Sequence, residues 1–88
     1  MKEIYVQLLK QDRTGLYAAV SRDLPGLMIH DYSIAEIERR LPIVIRELLE
    51  AAGHEVESVT AERDEKIDLA HLQPPAYIAN AVLTRVAA

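Results

Sequence analysis

No cysteine occurs in the 88 residues, which excludes a disulfide framework, a thiolate metal site and a thiol nucleophile together. Glycine is nearly as scarce: Gly15, Gly26 and Gly53 are the only three. Each is expected at a turn or a helix end, and they form no phosphate-cradling loop. No stretch approaches the roughly 20 consecutive apolar residues that span a bilayer, and the start, Met1-Lys2-Glu3-Ile4, carries no apolar secretory core. A cytoplasmic protein without a membrane partner is the expectation. Basic charge is short as well, with ten Lys and Arg against fourteen Asp and Glu and a formal net charge of -4. Nucleic-acid affinity rests on Lys and Arg displacing condensed counterions, so direct binding to nucleic acid is not expected.

Catalytic groupings are also missing. His30, His54 and His71 have neither the i, i+4 helical spacing nor the close strand spacing of a metal site built without cysteine. Ser21, Ser33 and Ser58 lack a nucleophile-elbow context. Asp12, Asp23 and Asp31 fall at strand or loop ends, where turn chemistry accounts for each without carboxylates converging on a metal. The sequence therefore predicts no enzyme, no cofactor and no metal.

What is present is an ordinary globular mixture, 50% apolar and 27% charged. A domain of this length buries only about 60–65% of its unfolded surface, so self-association would add needed stability. Ile4, Val6 and Leu8 alternate with Tyr5, Gln7 and Leu9, the period of a strand, and Gln11-Asp12-Arg13-Thr14-Gly15 supplies a hairpin loop. Leu16, Ala18 and Val20 then alternate with Tyr17, Ala19 and Ser21 in a second strand. Asp23-Leu24-Pro25-Gly26 reads as a turn, because proline presets φ and glycine accepts a positive one. Leu27 and Ile29 oppose Met28 and His30 in a third short strand ending at Asp31.

A helix is predicted over residues 34–52, stopped by Gly53. Ser33 would cap it, with Glu36 reaching back in a capping box. Ile34, Ile37, Leu41, Val44, Ile45, Leu48 and Leu49 form one apolar stripe, and Glu36–Arg40 and Arg46–Glu50 are spaced as ion pairs. Pro42 predicts a kink or break near residues 38–41. Residues 54–62 read as a fourth strand at a sheet edge, where the spacing of Val56 and Val59 suggests a bulge. Residues 63–73 are polar and irregular. Beyond Pro74-Pro75, Ile78, Val82 and Val86 fit a helical spacing with Pro75 in the first helical turn, and a strand, which groups the same three residues on one side, is the alternative.

The run Leu24-Pro25-Gly26-Leu27 leading into a short strand, then Ser33, Glu36 and a helix ending Leu48-Leu49-Glu50, resembles the small HicB-like antitoxin domains. The likeness covers about Lys2 to Glu62 and is to a short branch without an appended DNA-binding module. It implies an α+β, two-layer β-β-β-α-β domain, with a mainly antiparallel sheet, one long helix on one face and a partial RNase-H-like or double-stranded-RNA-binding-like shape. It also implies oligomerisation and neutralisation of a small ribonuclease toxin of the HicA type. On this reading residues 1–62 are the domain, and residues 63–88 are a C-terminal extension packing on it or on a partner subunit. That extension is too short for a complete helix-turn-helix or ribbon-helix-helix tail.

Two surfaces are the candidate interfaces. If Ile4, Val6, Leu8, Leu16, Ala18, Val20, Leu27 and Ile29 face the helix, then Tyr5, Leu9, Tyr17, Ala19 and Met28 share the outer face, a large apolar surface unless residues 77–86 fold back over it. Glu55, Glu57, Glu62, Asp64, Glu65 and Asp68, offset only by Arg63 and Lys66, would attract a basic partner or simply keep a sheet edge solvated. A homo-oligomeric antitoxin is the leading expectation. An RNA-binding or degenerate RNase-H-like domain and a small scaffold unrelated to toxins are the alternatives.

Overall fold

Five antiparallel strands curl around one helix. The computed structural model describes residues 2–64 and 75–85, with β1 (Lys2–Lys10), β2 (Tyr17–Val20), β3 (Met28–Asp31), α1 (Ile34–Ala51), β4 (Glu55–Arg63) and β5 (Ala76–Arg85) following in that order. Across the sheet the order is β3-β2-β1-β5-β4. This is the expected α+β arrangement, with a helix on one face of an antiparallel sheet and a fifth strand added. Among the described residues no helix is long and apolar enough to cross a membrane.

Alternation in β1 sorts its two faces cleanly: Ile4, Val6 and Leu8 are buried, while Tyr5, Gln7 and Leu9 are exposed. The hairpin loop closes where Gln11 N–H donates to the Leu16 carbonyl at 2.8 Å and Gly15, at φ 75°, donates to Gln11 O at 2.8 Å. The resulting register overturns the expected phase of β2. Leu8 faces Ala19 and Lys10 faces Tyr17, so Ala19 is buried toward the helix while Ala18 and Val20 turn outward. Lys10 Nζ lies 5.8 Å from the centre of the Tyr17 ring, on that same helix side. A one-residue slip exchanges the faces of a strand, and β2 resists neither choice because both its faces are apolar.

Ser33 caps α1 by accepting the Glu36 N–H at 3.2 Å. The reciprocal half of the capping box is absent because Asp31 Oδ1 already accepts the Ser33 N–H at 2.8 Å. Glu36 pairs instead with Arg39 at 2.9 Å, rather than with Arg40. At the other end Gly53, at φ 97°, donates to Glu50 O at 3.0 Å and His54 N–H to Leu49 O at 3.1 Å, the two bonds of a Schellman stop. Ile37, Leu41, Ile45 and Leu49 are fully buried, with Ile34, Val44 and Leu48 packed beside them.

Of the kink or break expected at Pro42, no break occurs: the helix is continuous through it. Proline in a helix interior costs about 3 kcal/mol, and burying Leu41 and Ile45 on either side recovers about 1.5–3 kcal/mol each. Near its C-terminal end Arg46 lies 3.8 Å from Glu50 and donates to the Val56 carbonyl at 2.8 Å. That carbonyl sits at the irregular register of β4, between Glu55 and Ser58, where the bulge was expected.

Residues 76–85 are a strand. Tyr77, Ala79 and Ala81 turn inward and are buried, and the strand pairs with β1 on one side and β4 on the other. The described part of residues 63–88 thus enters the sheet between β1 and β4, and it does not lie over the outer face. The sequence leaves both the helical and the strand reading open because Ile78 and Val82 share a face in either. Two unfilled ladders, those of β1 and β4, decide between them by tertiary pairing.

Candidate protein-interaction face

Residues opposite one another in an antiparallel sheet share a face, so the register defines the surface turned away from the helix. Tyr5, Leu9 and Met28 lie there with exposures of 39%, 47% and 60%. Half-buried Ala18, Val20, Ile78 and Val82 complete the apolar surface. Tyr17 and Ala19, expected here, lie on the helix side. Ile78 and Val82 were not assigned to this face from sequence because their segment had no fixed secondary structure.

The loop after β2 builds one wall of this face. Main-chain pairing between β1 and β2 stops at Gln7 and Val20, and side chains then continue the ladder. Asp23 Oδ2 accepts the Tyr5 N–H at 2.8 Å, while Ser21 Oγ donates to the Tyr5 carbonyl and accepts the Asp23 N–H at 3.1 Å. Beyond them Leu24 and Leu27 are buried, and Gly26 adopts φ 95°, a left-handed backbone that favours glycine, within ordinary packing distance of Leu48. The Leu-Pro-Gly-Leu turn is therefore a core anchor, and it holds Arg22 beside the outer face. Tyr5, Gln7, Val20, Ser21, Arg22 and Asp23 line an open cavity of about 460 Å³.

The acidic residues occupy the β4 edge. Glu55, Glu57 and Glu62 are exposed, and Asp64 is half-buried with its N–H on the Ala76 carbonyl at 2.8 Å. Glu65 and Asp68 fall outside the described residues. Glu62 lies opposite Ile78, so the acidic edge borders the apolar face. Among the described residues no three of His, Asp and Glu are grouped as a metal site needs.

On the helix side a second cluster joins α1 to the sheet. Tyr77 is 2% exposed and its hydroxyl donates to Glu38 Oε2 at 2.7 Å, while Arg63 Nε donates to the same oxygen at 2.6 Å. Leu41 and Ala61 complete the walls of a small cavity of about 110 Å³ there. A buried phenol without an acceptor is costly, and Glu38 supplies one. Partial burial pushes the Glu38 carboxyl up, but hydrogen bonds from Arg63 and Tyr77 and the charge of Arg63 together hold it below its ordinary value. Burial first, then the hydrogen bond and charge of Glu38, push the Tyr77 hydroxyl well above its ordinary value of 10.0. The cluster is a clamp with no nucleophile in it.

Its titration fixes the sign of two pH effects. A carboxyl lowered by folding stabilises the native state above its unfolded pKa, and the contribution is lost as pH falls below about 4.5. A phenol raised by folding stabilises below its unfolded pKa, and the contribution is lost as pH rises above about 10. Urea midpoints measured in steps from pH 9 to about 11.5 should fall more steeply for the wild type than for Tyr77→Phe. Equal slopes would remove Tyr77 from the alkaline transition.

Comparison of the chain with protein-family models, with curated proteins and with solved structures finds no match.

Proposed function

We propose that this chain is a non-enzymatic protein-binding module of the HicB-like antitoxin type, which neutralises a small basic ribonuclease toxin by covering its RNA-cleaving surface. The observation that carries the reading is the exposure of Tyr5, Leu9 and Met28 together on a sheet face that β5 does not cover. Tyrosine is a frequent interface anchor, and contiguous apolar surface on a small domain marks a contact site. In this reading the apolar face serves assembly. The β4 edge, with Glu55 and Glu57 exposed, steers and seats the basic toxin.

Co-expression with the product of an adjacent reading frame encoding a small basic protein tests it. The two chains should purify together, growth arrest by the toxin alone should be relieved, and the complex should weaken with rising salt. Reversal of the edge charges in Glu55→Lys/Glu57→Lys should slow association at least tenfold at low salt, as for other steered encounters. Recovery of this chain always alone, with no relief of arrest, would refute the proposal.

A further inference from the structure

We infer that the outer sheet face receives a second copy of this chain, related by a two-fold axis running along the strands between β1 and β5. The row of residues at the level of Tyr5 carries the inference. Tyr5 lies opposite Ile78, and Ile78 lies opposite Glu62. On the other side main-chain pairing ends at Val20, but the Ser21 and Asp23 side chains bond the Tyr5 main chain, which sets Arg22 between them alongside Tyr5, lining the same cavity. Across the face the row therefore reads Arg22, Tyr5, Ile78, Glu62: cation, aromatic, aliphatic, carboxylate.

Adjacent strands are about 4.8 Å apart, so Glu62 lies two strands, about 10 Å, from Tyr5, with Arg22 on the far side of Tyr5. That is too far for an ion pair, which needs about 4 Å, and among the described residues neither Arg22 nor Glu62 has an ion-pair partner. Asp23, the nearest acid in sequence to Arg22, already accepts the Tyr5 N–H. A rotation of 180° about the middle of the row places Tyr5 on Ile78 of the other copy and Arg22 on Glu62 of the other copy, twice over. In the neighbouring row Glu3 lies opposite Asn80, and the same rotation sets each Glu3 carboxylate over an amide that can donate to it. Facing sheets pack about 10 Å apart, a gap that Tyr and Arg side chains span. A partner of unrelated sequence would have no reason to match a row that is complementary to its own reverse.

The inference rests on reading the outer face as a contact surface and does not require the toxin. Sedimentation equilibrium on the full chain alone tests it, with wild type, Tyr5→Glu, Arg22→Glu, Glu62→Arg and the double variant Arg22→Glu/Glu62→Arg, each first checked for native circular dichroism. The wild type should dimerise, and Tyr5→Glu should be monomeric. Each single charge reversal should weaken the dimer at least tenfold, about 1.4 kcal/mol, and the double reversal should restore it to within about threefold. A monomeric wild type overturns the inference together with the contact-surface reading. A dimer lost in Tyr5→Glu but indifferent to the charge reversals overturns the two-fold arrangement while leaving the contact surface in place.

Discussion

A chain ended after residue 64 is expected not to fold. Its core would lack Tyr77, Ala79 and Ala81, all buried, and both β1 and β4 would lose their ladders to β5. β1 pairs with β5 from Lys2 to Gln7, and β4 pairs with it from Glu55 to Arg63, so the removed strand is an interior strand of the sheet and not an appendage. Each buried backbone group left without a partner costs about 1–3 kcal/mol, and a whole small domain has only about 5–15 kcal/mol to lose. Glu38 would also lose the Tyr77 hydroxyl that holds the helix to the sheet. The truncated chain should show a coil-like circular dichroism spectrum and narrow amide dispersion. A cooperative thermal transition in it would mean that residues 2–64 hold a self-sufficient core.

Ile45→Ala is expected to cost about 3 kcal/mol, within the range of about 2–5 kcal/mol for deleting a large aliphatic side chain from a packed core. Ile45 is fully buried in the middle of the helix stripe, between Leu41 and Leu49. For a domain of this size that converts to a fall in Tm of about 12–24 °C, at about 4–8 °C per kcal/mol. Ile43, two residues away, is 49% exposed and provides the control. Ile43→Ala should stay within about 0.5 kcal/mol of wild type. Calorimetry on the pair checks which face of α1 meets the sheet, and equal losses at both positions would contradict the packing.

The helix was readable because seven apolar residues at helical spacing leave one choice of buried face, and Ser33 and Gly53 mark its ends. The Leu-Pro-Gly-Leu turn was readable because its backbone demands are met by residues of special geometry. The phase of β2 was not, since Leu16, Ala18 and Val20 compete with Tyr17, Ala19 and Ser21 on nearly equal terms and only pairing with β1 breaks the tie. Nor was β5, whose inward set, Tyr77, Ala79 and Ala81, contains two alanines that signal neither strand nor helix. Of the apolar outer face, Tyr5, Leu9 and Met28 were therefore visible in advance, and Ala18, Val20, Ile78 and Val82 were not.

The clamp of Glu38, Arg63 and Tyr77 joins positions 25 and 39 residues apart, and no local pattern announces such a contact. Arg22 was equally silent. Its place beside Tyr5 follows from the end of main-chain pairing at Val20 and from the Ser21 and Asp23 side chains that continue the ladder. Pro42 shows the opposite case, a strong local signal overruled by burial on both sides of it.

The claim on which the functional reading turns is that the helix-free face of the sheet meets another protein surface. A dilution series followed by amide chemical shifts on the isolated chain addresses it directly. Concentration-dependent shifts should gather at Tyr5, Arg22, Ile78 and Glu62 and leave the exposed side of α1, Ile43 among it, unmoved. Shifts confined to α1, or spectra unchanged across the series, would contradict it.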